Sequence, residues 1–323
     1  MKAIVYTHYG SPDELQFKEV AQPTPKDNEV LIKVHAASVN AGDWRLLRGQ
    51  PFLMRLGTGL RTPKHPILGA DVSGKVVAVG HNVTRFQPGD EVFGDLSNSG
   101  YGAFAEYVAA DEAAFVRKPT NVTFAQAAAV LSAAVTALQG LRDEGQIQPG
   151  HQVLVNGASG GVGSFAVQIA KALGAEVTGV CSTRNVEMVR GLGADHVIDY
   201  TQEDFTQNGR QYDLILDAAA HRPLTDFKQA LTAQGRYVMV GGSTQRYFQM
   251  MVKGPWLSQK GGQHFGTFVK TAKPQDLAFL QNLVDAGKVV PVIDRCYPLR
   301  DVAEAIRYVE TGHARGKVVI TVA

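Results

Sequence analysis

The chain has 323 residues, enough for two domains of ordinary size, and its 45% apolar and 19% charged content supplies ample core material. A formal net charge of +2 is too balanced to suggest nucleic acid or an anionic membrane as a partner. The two cysteines, Cys181 and Cys296, make neither a disulfide framework nor a Cys-x-x-Cys metal site; together with the lack of an apolar leader or of a run of roughly 18 apolar residues, they point to a soluble chain in the reducing cytoplasm.

Residues 3–7, 15–20 and 30–36 are predicted strands, separated by Gly/Pro/Asp/Asn turn chemistry. Further strands are predicted at 71–79, 91–93 and 104–109, and so many short strands at close spacing indicate a barrel or sandwich. The pattern changes near Asn121. Thr123 is the predicted N-cap of a helix over 124–131, and Ala-rich helical sequence continues to about Leu141. Strands at 152–155, 176–180, 196–198, 214–217 and 237–240 then alternate with helices at 161–173, 186–192 and 224–231, which indicates a parallel doubly wound sheet. A further strand is expected within 263–269. The tail reads as a helix over 274–286, a strand over 289–293, a helix over 302–311 and a strand over 317–322. Residues 242–262 are the least regular and read as a mobile loop over the site.

The sharpest local signal is Gly157-Ala158-Ser159-Gly160-Gly161-Val162-Gly163, entered by a strand and left by a helix. In a dinucleotide-binding turn the first glycine permits the tight turn and the middle positions let backbone N–H groups approach a pyrophosphate. The last glycine lets the helix pack on the strand. The helix N-terminus faces the phosphates with its free amides, so Gly157, Ser159, Gly160, Gly161 and Val162 are candidate cofactor contacts. The second strand ends in Cys181-Ser182-Thr183-Arg184-Asn185 rather than in the acid that takes ribose hydroxyls in an NAD site. Ser182, Arg184 and Asn185 offer hydroxyl, guanidinium and amide to a 2′-phosphate, so NADPH is expected in preference to NADH. Tyr200 is a candidate for the same corner, with plain packing as the competing account.

The chain also resembles a known superfamily over essentially its whole length. The matching segments are 31–40, 66–76 (with Gly69-Ala70-Asp71), 86–94 (with Pro88-Gly89-Asp90), 102–107, the phosphate loop, and the closing Arg315-Gly316-Lys317-Val318-Val319. These are similar to the medium-chain dehydrogenases/reductases, specifically the zinc-free quinone oxidoreductase branch. The resemblance implies an α/β protein. A Rossmann sheet over 123–270 would stand beside a GroES-like β-barrel domain built from 1–122 and 271–323, with the active cleft between them. It also implies that Asn40 stands where zinc alcohol dehydrogenases carry a cysteine ligand, and Ala70 and Asp71 where they carry His and Glu. Zinc is therefore not expected. Without a Lewis acid a simple ketone is a poor acceptor, whereas a quinone, enone or enal delocalises the charge that hydride addition creates.

The same resemblance places Asn40 near the nicotinamide ribose or the substrate carbonyl, with Asp43 and Arg45 as further catalytic candidates. A helix-cap role competes for Asp43, and Arg45 departs from the Tyr or Lys of relatives, so solvent is left as the proton source. Thr136, Val240, Gly241, Phe265 and Lys317 are implied cofactor contacts, and a homodimer is a family-level expectation. The alternative reading is an NADPH-binding sensor or structural protein with vestigial catalysis.

Overall fold

The computed structural model describes residues 1–259 and 262–322. In chain order the elements begin with β1 (Lys2–Val5), β2 (Gln16–Glu19), β3 (Glu29–Val39), α1 (Ala41–Arg48), α2 (Arg55–Thr58), β4 (Asp71–Val79), β5 (Glu91–Asp95), β6 (Tyr107–Asp111) and β7 (Phe115–Arg117). They continue with α3 (Phe124–Ala128), α4 (Leu131–Gln139), β8 (Gln152–Asn156), α5 (Gly161–Ala172), β9 (Glu176–Cys181), α6 (Val186–Gly191), β10 (His196–Asp199), β11 (Tyr212–Asp217), α7 (Leu224–Ala230) and β12 (Leu231–Met239). The remainder are α8 (Thr244–Gln259), β13 (His264–Thr267), α9 (Pro274–Asp285), β14 (Ile293–Pro298), α10 (Val302–Glu310) and β15 (Lys317–Thr321). Two compact units result. One comprises Met1–Ser132, Thr271–Asp285 and Pro291–Ala323; the other comprises Ala133–Lys270 and Ala286–Val290.

The first unit is organised by β3. Its 11 residues outrun any single neighbour, so one edge serves two partners: residues 29–33 pair with β6 and residues 36–39 with β15, while β4 runs antiparallel along the other edge. The inward side chains Val30, Ile32 and Val34 join Leu47, Phe104, Phe115 and Ile306 in one core. The ends of these strands meet at one place. Ser38, near the C-terminal end of β3, pairs with Asp71 at the start of β4, and Val39 with Val318 at the start of β15.

The second unit is a six-stranded parallel sheet in the order β10-β9-β8-β11-β12-β13. That order reverses direction at β8, the position where doubly wound sheets bind ligands beyond their carboxyl ends.

Three sequence expectations are corrected. Residues 242–262 do not form an irregular loop: α8 occupies 244–259. Its inward positions Met250 and Leu257 are buried, but Phe248, Met251, Val252 and Trp256 are exposed, and apolar side chains on both faces blur the period that marks a helix. The strand expected at 289–293 lies at Ile293–Pro298. Val290 spends its N–H and C=O on the Gln168 side-chain amide (2.8 and 3.0 Å), and Pro291 has no N–H for a ladder. Finally, residues 41–48 form a helix, α1, whose N-cap is Asn40 and not Asp43, the residue for which sequence reading weighed a cap role.

Candidate functional site

Three strand ends bring a buried polar cluster together in the first unit. Asp71 is 1% exposed and is its hub. One carboxylate oxygen accepts from Ser38 Oγ (2.8 Å), Asn40 Nδ2 (3.0 Å) and Lys317 Nζ (3.3 Å), and the other accepts from the Ser132 backbone N–H (2.8 Å). The Lys317 ammonium, 3% exposed, also donates to Asn40 Oδ1. Asn40 is thus gripped at both ends of its amide, which fixes its orientation. A buried ion pair of this kind is retained only where hydrogen bonds satisfy the remaining valences, as they do here.

Asn40 caps α1, and its backbone N–H donates to the Asp43 carboxylate (2.7 Å) three residues on. The other Asp43 oxygen accepts from the Gly69 N–H (3.1 Å). Asp43 is 1% exposed. Burial pushes its carboxyl up to about 7, with Asp71 adding to the rise and the two amides and Lys317 opposing it. Both oxygens hold backbone, so the geometry gives Asp43 a positioning task. Arg45 is half-buried, with its guanidinium 5.1 Å from the centroid of the Trp44 ring.

In the second unit the phosphate loop is built as its glycines require. Gly157 has φ +82°, which a side chain resists. A Cβ on Gly163 would lie 2.0 Å from the Gly157 carbonyl oxygen, so only glycine lets α5 approach β8 this closely. Gly160 is the N-cap of α5, and the first amides of the helix, at Gly161 and Val162, have no partner within it. Behind the loop, the buried Asn185 donates its Nδ2 to Ser159 Oγ (3.0 Å) and Ser182 Oγ (3.2 Å). Both hydroxyls accept from the amide, so their own protons are directed elsewhere, as donors. Arg184 is exposed beside them, and Tyr200, itself 57% exposed, is anchored there by its N–H to the Cys181 carbonyl (3.0 Å). Asp199 is the acid next to Tyr200. Thr201 and Gln202 engage its oxygens, and hydrogen bonding from Thr183 and Thr201 holds it below the usual carboxylate range.

Among curated proteins the chain is 37% identical to a chloroplast envelope quinone oxidoreductase homolog of Arabidopsis thaliana, over 99% of this chain and 98% of that protein. It is 35% identical to an NADPH-dependent alkenal/one oxidoreductase from the same plant, over 99% of this chain and 79% of that one. The chain belongs to the medium-chain dehydrogenase/reductase superfamily, in its quinone oxidoreductase branch. A family model described as alcohol dehydrogenase GroES-like domain matches residues 26–120, and one described as zinc-binding dehydrogenase matches residues 192–320. The quinone oxidoreductase of Coxiella burnetii superposes with a TM-score of 0.86 at 31% identity, covering 100% of this chain and 99% of that one. Membership makes the protein an oxidoreductase that works with a nicotinamide cofactor, on a Rossmann sheet and a GroES-like domain.

Within that family frame, the structure gathers Asn40, Asp43 and Lys317 into one cluster, and Ser159, Ser182 and Asn185 into another. Val240 and Gly241 follow β12, and both donate their N–H to the Asp217 carbonyl. Thr136 is half-buried on α4. The Phe265 ring packs in the core, 5.5 Å from Tyr237, and its backbone N–H donates to Ser258 Oγ (3.0 Å). Sequence reading missed Asp71 as a hub, having noted it only as a lost metal position. It also missed Asp217, whose carboxylate accepts from Asn156 Nδ2 (2.8 Å), Tyr237 Oη (2.6 Å) and the Ala219 and Ala220 amides. Burial drives Asp217 above the usual carboxylate range despite these bonds. The available signal was an acid closing an apolar strand, Leu214-Ile215-Leu216-Asp217, at the carboxyl end of the sheet.

Proposed function

We propose that the protein is an NADPH-dependent reductase that moves hydride to a quinone or an α,β-unsaturated carbonyl without zinc. The observation that carries this reading is the Lys317 ammonium. It lies against Asp71 and Asn40, two of the positions at which the zinc-dependent relatives keep ligands. Zinc needs about three protein ligands from Cys, His and carboxylate. Here Asn40 and Ala70 supply none, and the Asp71 carboxylate is already paired with a buried cation that repels another. Among the described residues no three His, Cys, Asp or Glu side chains gather as a metal site. The residues do not fit zinc. Reduction without a Lewis acid favours acceptors that spread the developing charge through conjugation. The names of the relatives, quinone oxidoreductase and alkenal/one oxidoreductase, agree with that class.

The second unit fits a dinucleotide. The Gly163 contact with Gly157 and the amides opening α5 suit a pyrophosphate. Ser159 and Ser182, with hydroxyl protons aimed away from Asn185, and the exposed Arg184 suit a 2′-phosphate. Asp199, held by its threonine neighbours, is not offered to ribose hydroxyls, which favours NADPH over NADH. Bound NADPH supplies the hydride. Asn40 meets the nicotinamide ribose, and Thr136, Val240, Gly241 and Phe265 are the further cofactor contacts. Arg45 stabilises the enolate or phenolate that forms, and water provides its proton. Two cysteines without a partner suit work in the cytoplasm.

The test is a titration with NADPH and NADH, followed by NADPH oxidation with a quinone, an enone and a saturated ketone, before and after chelation. Tighter NADPH binding and chelator-insensitive turnover of the conjugated acceptors alone are expected. Chelator-sensitive turnover of the ketone overturns the zinc-free reading. Tight binding with no turnover of any acceptor overturns the reductase reading in favour of a cofactor-binding protein.

A further inference from the structure

The outer face of α8 is apolar and exposed. Phe248, Met251, Val252 and Trp256, at helical spacing i, i+3, i+4 and i+8, are 64%, 64%, 61% and 56% exposed. The inner face is complete without them. Met250 and Leu257 are buried, and Gly254 lets the helix lie against β13, since a Cβ there would come within 3.1 Å of the Phe265 carbonyl oxygen. Four large apolar side chains side by side on one face are not the scattered exposure of an ordinary surface.

The sequence around this helix is one-sided in charge. Residues 227–270 contain six Lys and Arg and no Asp or Glu. Lys253 stands exposed on α8 itself, between Val252 and the Pro255-Trp256 pair. The net charge of +2 argues against an anionic membrane only when averaged over the chain, and the average conceals this segregation. A helix with Trp and Phe on one face among basic residues is the pattern of a segment that lies in a lipid headgroup region. Sixteen residues rise about 24 Å, short of the roughly 30 Å hydrocarbon core, so the helix has the length to lie on a bilayer and not to cross it. A second copy of the chain is the other candidate occupant. α8 carries Arg246 and Lys253 and no acid, so a twofold contact between two copies of it offers these cations no carboxylate partner, which disfavours it.

We propose that the exposed face of α8 docks the protein on anionic lipid surfaces, with Phe248, Met251, Val252 and Trp256 entering the headgroup layer and Lys253 facing lipid phosphates. Docking there brings the protein to acceptors dissolved in lipid. That consequence rests on the proposed reductase function, whereas the docking itself does not.

The test is sedimentation of the full chain with vesicles of phosphatidylcholine alone or mixed with phosphatidylglycerol. Expected is at least tenfold stronger partition onto the anionic vesicles, lost in high salt and reduced at least tenfold in the double variant M251E/W256E. These positions are exposed, so folding is checked by an unchanged far-UV spectrum and unchanged NADPH affinity. A second readout uses the chain's two tryptophans. In Trp44→Phe the remaining Trp256 emission shifts to the blue with anionic vesicles and not with neutral ones. Equal partition onto both vesicle types, partition unchanged in M251E/W256E, or an unshifted Trp256 emission overturns the proposal. So does a concentration-dependent dimer in lipid-free buffer that M251E/W256E abolishes, which would assign the face to a second copy.

Discussion

Replacing Lys317 with Met tests the polar cluster most directly. Methionine keeps most of the stem volume and removes the ammonium. Asp71 then stays buried, 1% exposed, with Ser38 Oγ, Asn40 Nδ2 and the Ser132 N–H as its remaining donors. Breaking one side of a buried ion pair costs about 3–5 kcal/mol, and three surviving donors put this case near 3. In a unit of this size each kcal/mol lowers the melting temperature by roughly 2–4 °C, so Lys317→Met should melt about 6–12 °C below the parent. Calorimetry with parallel urea unfolding measures it. The cycle is closed with Asp71→Asn and the double variant. The double should be less destabilised than the sum of the singles by at least about 1 kcal/mol, because neutralising Asp71 removes the unpaired charge. A loss under about 1 kcal/mol in Lys317→Met, or additive singles, would refute the claim that the ammonium and the carboxylate act on each other in a dry site.

Three other outcomes are expected. Gly163→Ala forces a Cβ to 2.0 Å from the Gly157 carbonyl oxygen and should weaken NADPH binding at least about tenfold, roughly 1.4 kcal/mol, by fluorescence titration. Gly191→Ala, where a Cβ meets nothing within 4 Å, is the neutral control. The native protein should react with a thiol reagent at the exposed Cys296 alone. Cys181 is buried with its thiol pushed up to about 11 by that burial, and should be released only on unfolding; two fast thiols in native protein would contradict this. Asp43 has a folded-state carboxyl near 7 against an unfolded value of about 4, so between those values the folded state holds the extra proton and stability falls as pH rises, by up to roughly 4 kcal/mol. Urea unfolding across that window should show the fall in the parent and a flatter profile in Asp43→Asn; identical slopes would rule out the buried acid as its source.

Much of the second unit was readable in the sequence because its signals are local. Gly157 through Gly163 can be read as a phosphate turn because the strand before it and the helix after it lie within a few residues. The absence of an acid closing β9 is equally local. β4 was placed at 71–79, its observed bounds, because Gly80-His81-Asn82 breaks the strand immediately after it. Where a helix carried apolar side chains on both its buried and its exposed face, as α8 does, or a residue took its hydrogen bonds from a distant side chain, as Val290 does from Gln168, the local pattern misled.

The sequence alone determined the alternation of strands and helices, the glycines that a tight turn and a close helix demand, and the residue types left at the old ligand positions. Only the tertiary structure decided that Ser38, Asn40, Asp71, Ser132 and Lys317 share one buried cluster. These residues span 38 to 317 in the chain and meet because β3 ends where β4 and β15 begin. A charge becomes costly, or useful, according to what surrounds it once water is excluded. That surrounding is assembled by strand register, which no window of neighbouring residues contains.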